Sequence, residues 1–166
     1  MYNIDENNLY FISLKDLLNK YSTNSVILEK IKSNYLTLLS ELTTAPQIET
    51  DVFLENVNKI HEIGAIIVGI ISNSSDENDF RIISSGTIII EPKIIRNAKS
   101  VGHIEDIVVA NDMRGKGISQ TTLQLLKLFA LGKNCYKVIL DCDNEVKNVY
   151  IKSGFITKGV QMAEYF

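Results

Sequence analysis

Apolar residues recur along the chain with helical spacing first and with strand-like spacing later. Between Val26 and Leu42 they follow the helical period up to Thr43-Thr44-Ala45-Pro46, where proline ends the run. Glu49 to His61 repeats that period over a shorter length. A strand at Tyr10 to Leu14 and a short helical pattern at Leu14 to Leu18 come before both. The pattern predicts three helical segments ahead of the main sheet.

The middle of the chain is rich in β-branched residues, which is typical of buried strands. We predict strands at Ala65 to Ser72 and at His103 to Ala110. Phe80 to Glu91 is predicted to be a strand pair, or one long strand interrupted at Ser84-Ser85-Gly86. The connections are the turn-rich Asn73 to Asp79 and the basic Pro92 to Gly102.

The last third returns to helical spacing after Gly117, with Gly132 as the stop. A strand at Tyr136 to Cys142, a short helix at Glu145 to Lys152 and a last strand pair from Phe155 onward are predicted to follow. Helices interspersed with strands in this order predict an α/β (α+β) fold. Its sheet is expected to be mixed, with a mostly antiparallel beginning and helices on both faces.

Composition limits the classes of protein that this chain can be. A length of 166 residues with 45% hydrophobic residues suits one globular domain spanning residues 1–166. A net charge of −3 argues against a nucleic-acid or anionic-membrane partner, and the longest apolar run, Gly64 to Ile71, is too short to span a bilayer. Two cysteines (Cys135, Cys142) and two scattered histidines lack metal-ligand spacing. We expect a cytoplasmic protein with reduced thiols and no metal.

The turn Arg114 to Gln120 separates the predicted strand at His103 to Ala110 from the helix that follows. Gly115 and Gly117 let backbone approach a ligand closely, while Arg114 and Lys116 add positive charge to a helix N-terminus. We expect a pyrophosphate here, and an ordinary solvated loop is the alternative. A Walker A loop would need glycine at Ala110 and a hydroxyl residue at Gly117. A dinucleotide fingerprint would need glycine at Gln120, so both are excluded.

The pattern arginine-x-x-glycine-x-glycine at Arg114 to Ser119, with serine in place of the last glycine, resembles the turn of the GCN5-related N-acetyltransferases (GNAT). The flanking segments GHIEDIVV, NCYKVILDC, NVYIKSGF and MAEYF, over Glu91 to Phe166, resemble the glucosamine 6-phosphate N-acetyltransferases of that superfamily. The first ninety residues match only through the order of elements and Leu42-Thr43-Thr44.

The resemblance implies the GNAT fold, with a twisted sheet and a splayed central strand pair. It also implies transfer of acetyl from acetyl-CoA to the 2-amino group of glucosamine 6-phosphate. The amine attacks directly in a ternary complex, and the product feeds UDP-N-acetylglucosamine synthesis in the family.

The same resemblance assigns the acetyl-CoA site. The main chain of Ile107, Val108 and Val109 is expected to pair with the pantetheine arm, and an N–H near Val108 to polarise the thioester carbonyl. The pyrophosphate is expected on Arg114, Gly115, Lys116, Gly117, Ile118, Ser119 and Gln120.

Tyr150, in NVYIKSGF, falls where the family places a tyrosine beside the sulfur. A phenol with an ordinary pKa of about 10 can protonate a leaving thiolate whose acid has a pKa of about 8.5. The alternative, which the spacing alone favours, is a core tyrosine on a short helix.

The acceptor site is expected to use carboxylates. Glu105 and Asp106 are adjacent on a strand, so we expect their side chains on opposite faces and not as one pair. Asp141, expected on the neighbouring strand in an apolar setting, matches a family position that contacts the ligands near the reacting atoms. We expect these three to orient the ammonium and hydroxyls, with a weak base or a water. Carboxylates that only hold loop N–H groups are the alternative.

The family positions for the sugar phosphate fall on Thr43, Lys93 and Arg96, and on the pair Tyr136-Lys137, while Ile107 is also expected to contact the substrate. The resemblance implies that the pair Tyr136-Lys137 comes from the second subunit of a homodimer. The family often has an arginine in its final strand, where this chain has Tyr165.

Two other interpretations stay open. The acceptor could be another small amine or a peptide N-terminus, or the protein could be a non-catalytic sensor that binds acetyl-CoA and a partner protein. A nucleophilic Cys142 is disfavoured, because it points away from Asp141 along a strand and no histidine is near in sequence.

Overall fold

A six-stranded sheet organises the part of the chain that this computed structural model describes, residues 2–4, 9–72 and 78–165. The strands lie in chain order, and all neighbouring pairs are antiparallel except the last, which is parallel. Mixed pairing of this kind confirms the predicted fold class. The strands are β1 (Tyr2–Ile4), β2 (Leu9–Ser13), β3 (Gly64–Ser72), β4 (Phe80–Glu91), β5 (Ser100–Val109) and β6 (Cys135–Ile139).

Helices form where the helical spacing predicted them, with one short addition before β5. They are α1 (Leu14–Lys20), α2 (Ser25–Leu39), α3 (Thr50–Ile63), α4 (Ile95–Ala98), α5 (Ile118–Gly132) and α6 (Lys147–Lys152). The short α4 is a turn whose Arg96 and Asn97 have left-handed backbone angles, with φ of 59° and 56°. Each helix in the described ranges is too short or too polar to span a bilayer.

Two apolar layers hold the helices on opposite faces of the sheet. Along β3, Ile66, Val68 and Ile70 join one layer while Ala65 joins the other, as alternation along a strand requires. The first layer carries α1, α2 and α3, and the second carries α5. Each fully buried Leu or Ile contributes about 1.5–3 kcal/mol. A capping contact, such as the one from the Asn24 side chain to the Ile27 N–H, contributes about 1 kcal/mol, so packing dominates.

Several predicted boundaries move because strand pairing decides them. Phe80 to Glu91 is one continuous strand, so the predicted interruption at Ser84-Ser85-Gly86 is wrong. β5 begins at Ser100, inside the predicted connection, because Ser100 and Val101 pair with residues of β6 and Val101 also pairs with Glu91. β6 ends at Ile139, so Asp141 lies after the strand and not on it. Of the predicted loop at 73–79, residues 73–77 lie outside the described ranges.

The predicted strand pair from Phe155 onward is wrong for the described residues 155–165, which form no strand. A strand needs a neighbour for its backbone groups, and this segment has none in the described chain. Its apolar side chains face solvent: Ile156 is 74% exposed, and Val160, Met162 and Tyr165 are more than nine-tenths exposed.

A bulge interrupts the β4–β5 ladder. Ser85 pairs with Val108 and Thr87 with Glu105, so Gly86 faces two residues of β5. One of the two, Asp106, has a φ of 52°. A Cβ on Gly86 would lie 2.6 Å from Ile107 Cδ1 and 2.9 Å from the ends of Leu126 and Thr122 on α5. Glycine at position 86 therefore leaves the space that Ile107 and α5 fill opposite the bulge.

We predict that Gly86→Ala destabilises the protein by about 1–3 kcal/mol, because its methyl group overpacks a site closed by β5 and α5. The measurement is the midpoint of urea unfolding. Gly132→Ala is the matched control: nothing lies within 4 Å of its Cβ at the end of α5, and alanine favours helix. Equal midpoints for the two variants would contradict the prediction.

Candidate active site

The sheet opens into a cleft where β5 and β6 separate. Their parallel pairing runs from Ser100 and Cys135 to His103 and Ile139, and then stops. β5 continues to Val109, so its edge from Ile104 onward has no strand beside it on that side within the described chain. The splayed central strand pair is thereby confirmed. An extended arm with amide groups could add to this free edge as a strand would.

The bulge gives the cleft its shape at the point where β5 leaves β6. Because Asp106 adopts a left-handed backbone conformation, the strict alternation of side chains along β5 is broken between Glu105 and Ile107. Both carboxylates, Glu105 and Asp106, are exposed. The expectation of opposite faces rests on a regular strand, and β5 is not regular at this position.

The glycine turn lies directly after the free edge. Gly115 and Gly117 have φ of 78° and 79°, angles that favour glycine. Nothing lies within 4 Å of a Cβ position on Gly115, so that side of the turn is open. Gly117 precedes α5, whose N-terminus has no side-chain cap and no acidic residue in its first turn. The N–H groups of this first turn are therefore suited to an anion.

The charged residues of the turn reinforce that preference. Arg114 and Lys116 are exposed, and Arg114 Nε donates a hydrogen bond to the Val109 carbonyl at 3.0 Å. Ser119 is the second residue of α5, so no left-handed glycine is required where the family motif has its last glycine. The turn fits the pyrophosphate that the sequence predicted for it.

Three carboxylates act on each other across the cleft. Partial burial raises the pKa of Glu105, and the charges of Asp106 and Asp141 raise it further, while His103 lowers it. Asp141 is exposed and accepts a hydrogen bond from Gln161 Nε2 at 3.2 Å. The surroundings therefore increase the affinity of Glu105 for a proton.

Tyr150 lies on α6, half-buried against the second apolar layer. Its ring meets that of Phe155 edge-on, with centroids 6.2 Å apart. Burial raises the pKa of the Tyr150 phenol, and the nearby Cys142 raises it further. Both cysteines are free thiols. Tyr150 is therefore a neutral hydrogen-bond donor throughout the physiological pH range.

The residues expected at the sugar phosphate lie in three separate places. Arg96 and Lys137 both stack on Tyr136, at 5.8 and 5.6 Å from its ring centre. Lys93 is paired instead with Glu91. Thr43 is exposed just beyond α2, where its N–H bonds to the Leu39 carbonyl at 3.1 Å.

Glu91 and His103 belong to this region, although the sequence did not single them out. Their side chains meet at 2.8 Å, and Lys93 and His103 both lower the pKa of Glu91. Glu91 pairs with Val101 on β5, which makes His103 its diagonal neighbour. That register follows from where β5 begins, three residues earlier than its apolar run indicated. Gln161 had no such signal, because it lies in a segment without regular structure.

This chain is similar in sequence to known acetyltransferases. The model of the acetyltransferase (GNAT) family matches residues 41–155. Glucosamine 6-phosphate N-acetyltransferase 1 of rice is 33% identical over 146 residues, which are 88% of this chain and 87% of that protein. Glucosamine 6-phosphate N-acetyltransferase 1 of Dictyostelium discoideum is 36% identical over 138 residues, 83% and 86% of the two chains.

A solved structure extends the likeness to the fold. The crystal structure of glucosamine-6-phosphate N-acetyltransferase from Arabidopsis thaliana superposes with a TM-score of 0.76 at 30% identity, covering 95% of this chain and 98% of that one. The family-model match over residues 41–155 includes the splayed strands, the glycine turn and α5. This chain belongs to the acetyltransferase (GNAT) family and, within it, to the family of the glucosamine 6-phosphate N-acetyltransferases.

Proposed function

We propose that the protein transfers the acetyl group of acetyl-CoA to the 2-amino group of D-glucosamine 6-phosphate, giving N-acetyl-D-glucosamine 6-phosphate and CoA. The observation that carries this proposal is the free edge of β5 leading straight into the glycine turn and the uncapped start of α5. The acceptor follows from the relatives, whose names state it. The product would then enter UDP-N-acetylglucosamine biosynthesis.

Acetyl-CoA is proposed to lie along β5 with its pyrophosphate on the turn. The main chain at Ile107 to Val109 would pair with the pantetheine arm, and an N–H near Val108 would donate to the thioester oxygen. Removing one donor of this kind from the oxyanion hole of an enzyme costs about 2.7–4 kcal/mol of stabilisation of the developing oxyanion. Arg114 and Lys116 would add charge at the pyrophosphate.

The reaction needs one proton removed and one supplied. The free amine attacks the carbonyl carbon, the C–N bond forms, and the C–S bond breaks with its electron pair leaving on sulfur. The nitrogen loses its proton to water or to Glu105, whose raised pKa suits a weak base. Asp106 and Asp141 would orient the ammonium and hydroxyls of the amino sugar and favour the approach of the ammonium to the cleft.

Tyr150 is proposed to stabilise the departing thiolate. Its raised pKa keeps the phenol protonated, so the phenol donates a hydrogen bond to sulfur. Complete transfer of the phenol proton to a thiolate is uphill, because the thiol has an ordinary pKa of about 8.5. The hydrogen bond is therefore the main contribution of Tyr150, and the thiolate of CoA takes up its proton from water.

The sugar phosphate is proposed to bind Thr43, Lys93 and Arg96, with Ile107 beside it and Tyr136-Lys137 supplied by a second subunit. A homodimer is supported by the exposed apolar side chains of residues 156–165 and of Ile94, which is 98% exposed. β6 is an unpaired sheet edge within the described chain, which a second copy could cover. The free cysteines suit the cytoplasm, where thiols stay reduced.

We predict that CoA release, followed with a thiol reagent, is fast with acetyl-CoA and glucosamine 6-phosphate and is at least about tenfold slower with glucosamine. The reason is that a phosphate held by charge-assisted hydrogen bonds contributes at least about 1.4 kcal/mol. A panel of other small amines and a peptide N-terminus is assayed beside them. Equal turnover of glucosamine and its 6-phosphate would remove the acceptor assignment, and absence of turnover with every amine would favour the sensor.

We predict that Tyr150→Phe lowers kcat by at least about 10²-fold, because the thiolate loses its hydrogen-bond donor. Calorimetry should find acetyl-CoA binding little changed, since the ring and its contact with Phe155 remain. Tyr21→Phe, which removes a hydroxyl in the apolar layer on the other face, is the control. Unchanged turnover in Tyr150→Phe would contradict a role at the sulfur.

We predict that Met162→Lys shifts the protein from two chains to one in sedimentation velocity, because it places a charge in an apolar surface that a second copy covers. Turnover should fall with it, since Tyr136-Lys137 would no longer complete the neighbouring site. Val26→Lys on α2, at a side chain 75% exposed, is the matched control. A wild-type protein that sediments as one chain would overturn the dimer.

A further inference from the structure

The start of the glycine turn is held from outside the cleft by two side chains that no expected role includes. Glu41 Oε2 accepts a hydrogen bond from the Asn111 backbone N–H at 2.7 Å. Arg81 on β4 donates two hydrogen bonds to Asp112, at 2.7 and 2.8 Å. Asn111 and Asp112 form the single 3₁₀ turn between β5 and Arg114. Both contacts therefore act on the residues that set where the turn begins.

Glu41 and Arg81 both line a cavity of about 220 Å³ between α2 and the end of β5. Hydrogen bonding to Asp112 raises the pKa of Arg81, and the charges of Asp112 and Glu41 raise it further. Arg81 likewise lowers the pKa of the Asp112 carboxyl. The Arg81 cation is thus attracted to two carboxylates, those of Asp112 and Glu41. The cavity is lined by Thr37, Leu38, Glu41, Arg81, Ile82 and Ala110, among others.

Glu41 also belongs to the acceptor side of the site. The chain after α2 stays wound, because the N–H groups of Glu41, Leu42 and Thr43 bond back to the carbonyls of Leu38 and Leu39. Thr43 is thus fixed two residues from Glu41. This wound segment therefore carries two residues with different roles. Glu41 fixes the turn that precedes the pyrophosphate site, and Thr43 is proposed to bind the sugar phosphate.

From this geometry we infer that Glu41 is a positioning residue, which fixes the start of the pyrophosphate turn relative to the acceptor segment at Thr43, with Arg81 as its partner. This inference rests on the proposed function, since it assigns no new ligand. Its consequence is that the two ligands bind cooperatively. An occupied pyrophosphate turn orders Asn111, Asn111 holds Glu41, and Glu41 holds the acceptor segment, so each ligand strengthens the other reciprocally.

The test uses the full chain and two variants at one position. Glu41→Ala removes the acceptor for the Asn111 N–H, and we expect the KM for acetyl-CoA to rise about three- to tenfold with kcat changed less than about twofold. Glu41→Gln keeps a side-chain carbonyl oxygen and should restore the KM to within about twofold of the wild type. Glu49→Ala, an exposed carboxylate on the same connection without a side-chain capping bond, should leave both constants unchanged.

A binding measurement separates cooperativity from stability. Calorimetric titration of CoA, which has no acetyl group to transfer, is run with and without glucosamine 6-phosphate. The wild type should bind CoA at least about fivefold more tightly with the sugar phosphate, and Glu41→Ala should reduce that ratio towards one. A melting temperature within a few degrees of the wild type establishes that the variant is folded.

Several outcomes would overturn the inference. They are a wild-type KM in Glu41→Ala, a fall in kcat alone, no rescue by Glu41→Gln, or a wild-type protein in which the sugar phosphate does not affect CoA binding. If Glu41→Ala melts early, Asp112→Ala, which removes both oxygens that accept from Arg81, replaces it, and an unchanged KM for acetyl-CoA in that variant also overturns the inference. The proposed function fails separately, by a wild-type protein that neither binds acetyl-CoA nor acetylates glucosamine 6-phosphate.

Discussion

The cleft exists because β5 cannot pair along its whole length with β6. A regular parallel pair would bury the backbone groups of β5, and no ligand could reach them. The pairing ends after His103, and the left-handed turn at Asp106 bends the strand just beyond. One local departure from ideal sheet geometry thus leaves a row of amide groups open. The sheet tolerates it because Gly86 on β4 gives Ile107 room on the opposite side.

The apolar layers keep that departure in place. α5 packs against the face of the sheet behind the cleft through fully buried residues such as Leu123 and Leu126. Its N-terminus is thereby aimed at the end of β5, and the glycine turn has little freedom in where it presents its N–H groups. The dipole of α5 and the charges of Arg114 and Lys116 act in the same direction, so an anion is attracted without a buried lysine or arginine.

Much of the fold could be predicted because the spacing of apolar residues and the glycine and proline positions that end the elements were unambiguous. The spacing over Val26 to Leu42 and the glycines around α5 gave two helices close to their observed bounds. Strand ends were predicted less well, since pairing partners set them: β5 starts early because β6 lies beside it, and β6 ends early because nothing continues its ladder. The predicted strand pair after Phe155 has the right apolar residues and no neighbour in the described chain.

The candidate site likewise has parts that could be predicted from the sequence and parts that could not. Continuous segments, such as the glycine turn, were recognisable because their chemistry lies in one stretch of sequence. Contacts between distant residues were not, because Glu41 and Asn111 are 70 positions apart and neither is unusual where it stands. Asp106 was treated as an ordinary strand residue, since no sequence pattern distinguishes an aspartate at a bulge from one beside it.

The cations expected at the sugar phosphate are already engaged in the free chain. Lys93 is held by Glu91, and Arg96 rests on the ring of Tyr136. An incoming anion must compete with these resident partners, so a weakly bound species such as chloride or inorganic sulfate gains little by displacing them. Only a ligand anchored elsewhere as well, by its amine and ring hydroxyls, recovers that cost. At the proposed phosphate site, these resident contacts would disfavour simple anions before any substrate arrives.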